Sequence, residues 1–143
     1  MTGMPLVVGL NASVRAVVSE ADTAAELGSG AVPVLGTPRL LALAEAATVA
    51  AVEAELGPGK TTVGTSVTLE HRRASPVGSS LVVQAELTEV DGRRLVFSFI
   101  ARQEDPPPPP GEHQPVLGAG TIERIVVSED RFLAHLTKPT PSP

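Results

Sequence analysis

The chain has 143 residues, 42% of them hydrophobic, and a net charge of −5, which fits one domain with its own core. The negative charge and the 2% aromatic content argue against a nucleic-acid partner, which would be met by basic patches and stacking rings. There is no Cys, so disulfides, thiol catalysis and Cys-based zinc sites are excluded, and the three His at 71, 113 and 135 show no metal-ligand spacing.

Residues 1–10 lack the basic start and cleavage pattern of a secretory signal. No apolar run reaches membrane-spanning length. A soluble, cytoplasmic protein is expected, with no membrane partner and no metal. Residues 6–10 and 13–18 have strand-like β-branched content. Residues 19–27 predict a short helix closed by Gly28, and 28–30 a loop.

Residues 37–53 predict one long helix. Thr37 is a good N-cap and Pro38 suits the first helical position. Ala and Leu fill the interior, and both favour helix. From Leu40 to Val52 the apolar residues run nearly all round, which predicts a buried helix. Glu45 sits inside that run. A carboxylate there must be paired, hydrogen-bonded or placed at a wet cavity.

After Gly57-Pro58-Gly59 the period changes to two. Strands are predicted at 61–71, 80–90, 93–103 and 116–127, with a turn at 74–78 and a hairpin at Asp91-Gly92. Gly64 inside a strand predicts a bulge or a close backbone approach. Residues 104–115 hold five consecutive prolines, Pro106 to Pro110, which reads as a stiff spacer at a hairpin tip. A helical turn at 129–136 and a disordered tail at 138–143 complete a single domain spanning 1–137. A helix followed by a run of strands predicts an α+β fold with an antiparallel sheet wrapped around the helix.

Each candidate residue has a plain explanation when taken alone. Thr37 caps a helix, His71 ends a strand as a surface or satisfied core histidine, and Arg124 is a solvated charge. Together they form a pattern: Gly36-Thr37-Pro38, Glu45, Gly64-Thr65, His71-Arg72-Arg73-Ala74-Ser75-Pro76-Val77-Gly78, Asp91-Gly92-Arg93-Arg94-Leu95 and Gly118-Ala119-Gly120-Thr121-Ile122-Glu123-Arg124. That pattern resembles the fluoroacetyl-CoA thioesterase-like family of hot-dog-fold thioesterases, over residues 35–132.

The resemblance implies a five-stranded antiparallel sheet around a central helix, dimeric through sheet extension. It implies catalytic roles for Thr37, Glu45 and His71, a backbone contact from Gly64 to the thioester carbonyl, and a place for Arg124 near the acyl-CoA site. The substrate would be an acyl-CoA or an acyl-carrier thioester, and no cofactor would be needed beyond the CoA of the substrate. The alternative is a non-catalytic hot-dog module that binds an acyl-CoA. A hot-dog hydratase is disfavoured, because no Asp/His pair stands in the expected motif.

Two features depart from the fluoroacetate-specific pattern. Residues 28–34 carry no aromatic, and 106–115 are extra. Both predict that fluoroacetyl-CoA is not the preferred substrate. Spacing adds one further expectation. Thr37 and Glu45 lie eight residues apart on one helix, roughly 12 Å along its axis. Such short side chains cannot meet on one carbonyl from one regular helix, so either Thr37 lies outside the regular helix and the chain folds back, or, as expected here, the site is shared across a homodimer or higher homo-oligomer.

Overall fold

A computed structural model describes residues 6–137 of the chain. The elements are β1 (Asn11–Val17), a 3-10 turn (Glu20–Asp22), α1 (Ala24–Leu27), α2 (Thr37–Val52), β2 (Lys60–His71), β3 (Ser80–Asp91), β4 (Arg94–Gln103), β5 (Val116–Ser128) and α3 (Glu129–Thr137). All five strands join one antiparallel sheet in the order β1-β3-β4-β5-β2, so β1 and β2 are its edges. The expected α+β architecture is the one observed.

Alternation in β3 and β4 sends Leu81, Val83, Ala85 and Leu87, and Leu95, Phe97, Phe99 and Ala101, into the core beneath α2. From the helix, Leu40, Leu43, Ala44, Ala47, Thr48, Ala51 and Val52 complete it. The helix packs chiefly on β1 and β3 and only lightly on β2 and β4. Its far side is therefore open. Ala42, Ala46 and Ala50, successive at four-residue spacing, are exposed in the protomer. This corrects the expectation of a helix buried all round: one sheet face covers one face of a helix, and alanine composition does not reveal which face lacks cover.

Local differences from the sequence reading have local causes. Residues 6–10 are a turn rather than a strand, because Gly9 adopts φ +106° and breaks the extended run. The helix expected over 19–27 divides at Thr23, which is extended and accepts a hydrogen bond from the Glu26 N–H. Gly28 closes it in the left-handed region as expected. At the β3–β4 hairpin the two loop residues are Gly92 and Arg93, not Asp91 and Gly92, because Asp91 still pairs with Arg94. Gly92 takes φ +59° at the first loop position.

The proline-rich stretch 104–115 is an irregular connection between β4 and β5. It is tied down by Gln114, whose side chain donates to the Glu104 carbonyl at 3.0 Å and whose own carbonyl accepts from Arg102 at 2.9 Å. The expected tail at 138–143 lies outside the described residues. Among the described residues, no helix is long and apolar enough to cross a membrane.

Candidate active site

The start of α2 is set by a close approach. Gly36, not Thr37, is the N-cap, and it is buried against α1. A Cβ on Gly36 would lie 2.9 Å from Leu27 Cδ1 and 3.2 Å from the Ala24 backbone. Thr37 is the first helical residue. Its hydroxyl is released from capping and sits 2.8 Å from His71 Nδ1 at the end of β2. The expected capping role of Thr37 is thus corrected.

His71 is half-buried, and its Nε2 is buried with no hydrogen-bond partner. Burial pulls its pKa below the ordinary 6.5, and the Arg73 backbone works the other way. The ring is therefore neutral at pH 7, with one nitrogen able to accept a proton. A cleft of about 290 Å³ opens beside this pair, lined in part by Gly30, Val32, Val34 and Arg73.

A second group forms about two turns further along the helix and at the other end of β2. Arg124 on β5 is buried at 7% exposure. It is not the solvated charge of the plain reading. Its Nε donates to Thr62 Oγ1 at 2.8 Å and its Nη2 to the Thr62 carbonyl at 3.0 Å. Its Nη1 donates to Glu45 Oε2 at 3.1 Å. Burial lowers the Arg124 pKa and Glu45 opposes that, and the group stays a cation. The Glu45 side chain is 37% exposed. The apolar run around it does not bury it, because its side of α2 is the uncovered one. Gly64 lies against it, and a Cβ there would stand 2.7 Å from Glu45 Oε2.

A bulge relates the two groups. Gly64 pairs with Arg124 and Ser66 with Glu123, so Thr65 is an extra residue in β2. Gly64 and His71 are seven apart, and in a regular strand an odd separation puts side chains on opposite faces. The extra residue reverses that parity. Gly64 and His71 both face the helix side, as the Glu45 and Thr37 contacts show. They remain about 20 Å apart along the strand.

Residues 18–130 match the family described as fluoroacetyl-CoA-specific thioesterase. A fluoroacetyl-CoA thioesterase of Streptantibioticus cattleyicolor is 34% identical over 109 residues, covering 76% of this chain and 72% of that one. This chain belongs to the fluoroacetyl-CoA-specific thioesterase family. A solved structure of a fluoroacetyl-CoA thioesterase superposes with a TM-score of 0.79 at 30% identity, covering 96% of this chain and 99% of that one. A hot-dog-like protein from Thermanaerovibrio acidaminovorans shares the fold with a TM-score of 0.79 at 22% identity, covering 98% and 96%.

Within one protomer of this family member, Thr37 meets His71, and Glu45 meets Gly64 and Arg124. The two sets do not meet each other. Sequence reasoning missed Thr62, which holds Arg124 by two bonds. Alternation does put Thr62 on the same strand face as Gly64, but nothing in its neighbours marks the hydroxyl. Among the described residues, no three His, Asp or Glu side chains gather as metal ligands.

Proposed function

We propose that this protein hydrolyses acyl-CoA thioesters at two equivalent sites, each built from both subunits of a homodimer. Each site would join Thr37 and His71 of one subunit to Glu45, Gly64 and Arg124 of the other. The observation that carries this reading is the bulge. It leaves the two half-sites on one face of a free sheet edge, too far apart to act together within one chain.

An antiparallel pairing of β2 with its own copy closes the gap. Opposed residues in such a pair must share a face. A two-fold axis beside Thr68 satisfies this: Val67 opposes Leu69 of the partner subunit, and the bulge brings Gly64 opposite His71 of the partner subunit. Val67 is 43% exposed in the protomer, and the pairing would cover it together with the open alanine side of α2. Like most homodimer interfaces, this one is isologous.

The chemistry follows from the residue types. A thioester carbonyl held between the two half-sites meets the Glu45 carboxylate, which attacks the carbonyl carbon or takes a proton from the attacking water. The Gly64 N–H and the N-terminus of α2 stabilise the developing oxyanion. By either route the C–S bond breaks and the CoA thiolate leaves, and neutral His71, oriented by Thr37, carries a proton from the attacking water to that thiolate. Arg124 fixes the carboxylate through its Nη1.

The acyl pocket would be the cleft beside Thr37 and His71, walled by small residues of the segment 28–34. With no aromatic there, a fluoroacetyl group has no special advantage over an acetyl group. The test is a panel of acyl-CoAs with detection of the released thiol. Acetyl-CoA turnover at least equal to that of fluoroacetyl-CoA is expected. Absence of turnover across the panel, with acyl-CoA still bound, would contradict the reading and identify a binding module.

A further inference from the structure

We propose that Asp22 is a positioning residue that holds the Thr37 hydroxyl against His71. Its effect on turnover rests on the thioesterase reading above, but the contact it sets is measurable without turnover.

Asp22 holds Thr37 from both flanks. Its backbone carbonyl accepts from the Gly36 N–H at 2.9 Å, on the residue before Thr37. Its Oδ1 lies 3.0 Å from Arg39 Nε, two residues after Thr37. Its other carboxylate oxygen, Oδ2, accepts from the Ser19 N–H at 2.9 Å and from the Ser19 hydroxyl at 3.0 Å. Those two bonds close the 3-10 turn and so aim the Asp22 carbonyl at Gly36. The Ser19 backbone bond, against a cost of desolvation and with help from the Ser19 hydroxyl and Arg39, holds the carboxyl below its ordinary 3.8. It is an anion at neutral pH.

Electrostatics gives the reason for an anion from outside the helix. The first turn of α2 has no acidic residue. It carries instead a cation, Arg39, at the end where the helix dipole disfavours one. Arg39 Nε is buried with no hydrogen-bond partner, so the charge of Asp22 is its compensation.

The neighbouring backbone is fixed by other bonds. The Leu35 N–H donates to the Ser75 carbonyl at 2.8 Å, and Val34 forms a β-bridge with Pro76. Leu35 and Ser75 are buried. This ties residues 34–35 to the chain just beyond His71. The last step to Thr37 is left to Gly36 and the first turn of α2, which Asp22 holds. The result is the 2.8 Å contact between the Thr37 hydroxyl and His71 Nδ1.

Magnitudes separate positioning from stability. The Arg39 and Asp22 side chains are 40% and 17% exposed, and a pair so close to water contributes little to global stability. Misplacing a reacting group by about 1 Å can instead cost about 10²-fold in rate. A variant without this pair should keep its melting temperature and lose turnover.

Two variants test this. Asp22→Ala removes every side-chain bond, and Arg39→Gln leaves the Ser19 turn closed and removes only the ion pair. NMR of the His71 ring nitrogens reads the Nδ1 contact without substrate, and Thr37→Val, which deletes the hydroxyl, supplies the reference shift. Asp22→Ala should move the Nδ1 signal the same way and Arg39→Gln part of the way. Asp22→Ala should add nothing in the Thr37→Val background. With acetyl-CoA, Asp22→Ala should lower kcat about tenfold with KM little changed, and should lower it no further when Thr37→Val is present. If Asp22→Ala unfolds, Arg39→Gln carries the same comparisons. An Nδ1 signal unmoved by the folded variant, or kcat losses that multiply with those of Thr37→Val, would overturn the proposal. So would a Thr37→Val protein whose Nδ1 signal matches wild type. If wild type hydrolyses no thioester while Asp22→Ala and Thr37→Val move Nδ1 together, the positioning contact stands and the thioesterase reading falls.

Discussion

The Cα of Gly64 and the carboxylate of Glu45 are in such close contact that no side chain fits between them: a Cβ at Gly64 would stand 2.7 Å from Oε2. The obstructing atom is the end of a flexible side chain rather than backbone. Gly64→Ala should therefore displace Glu45 while leaving the fold in place. Stability should change by no more than about 1 kcal/mol. On the proposed role of Glu45, that displacement should lower kcat/KM about 10²-fold. Acyl-CoA kinetics and a thermal melt on the same variant check both halves. Wild-type kinetics would show that the contact has no part in turnover.

The pH dependence follows from His71, whose pKa lies below 6.5 because burial disfavours its charged form. Activity that needs the neutral ring should be full at pH 7 and fall on the acid side, with a midpoint below 6.5. Stability moves in the same direction. The unfolded chain takes up the proton first as pH falls, so the contribution of neutral His71 is complete above about 6.5 and is lost toward the folded pKa. A pH profile of kcat/KM reads the midpoint. A midpoint above 6.5, or no acid limb, would contradict a buried, neutral His71.

Much of this arrangement was legible in the sequence. The change of period after Gly57 marked the passage from helix to sheet, and Gly64 inside a strand pointed to the bulge. The burial of Glu45 was misread, because an apolar run shows what a helix is made of and not which flank the sheet leaves open. Arg124 looked like a surface charge because its anchor, Thr62, lies 62 residues away in the chain and meets it only through the β2–β5 register.

The proposed dimer register can be tested covalently. The chain has no Cys, so one introduced thiol can report unambiguously. With the two-fold axis beside Thr68, a Thr68→Cys protein places two thiols opposite each other, at a separation close to that of a disulfide. Mild oxidation should yield a covalent dimer on a non-reducing gel, and Lys60→Cys should not. Efficient cross-linking at Lys60 with none at Thr68 would place the axis elsewhere.

The proposal of a shared site is tested most directly by subunit complementation. Thr37→Ala and Glu45→Gln proteins are prepared separately, mixed and allowed to exchange. Each parent should lose about 10²-fold in kcat, because each lacks one half of both sites. In a mixed dimer one site collects both defects and the other is intact. Random exchange makes half the dimers mixed, so activity should rise to about a quarter of wild type. A mixture no more active than its parents after verified exchange would show that Thr37 and Glu45 act within one chain.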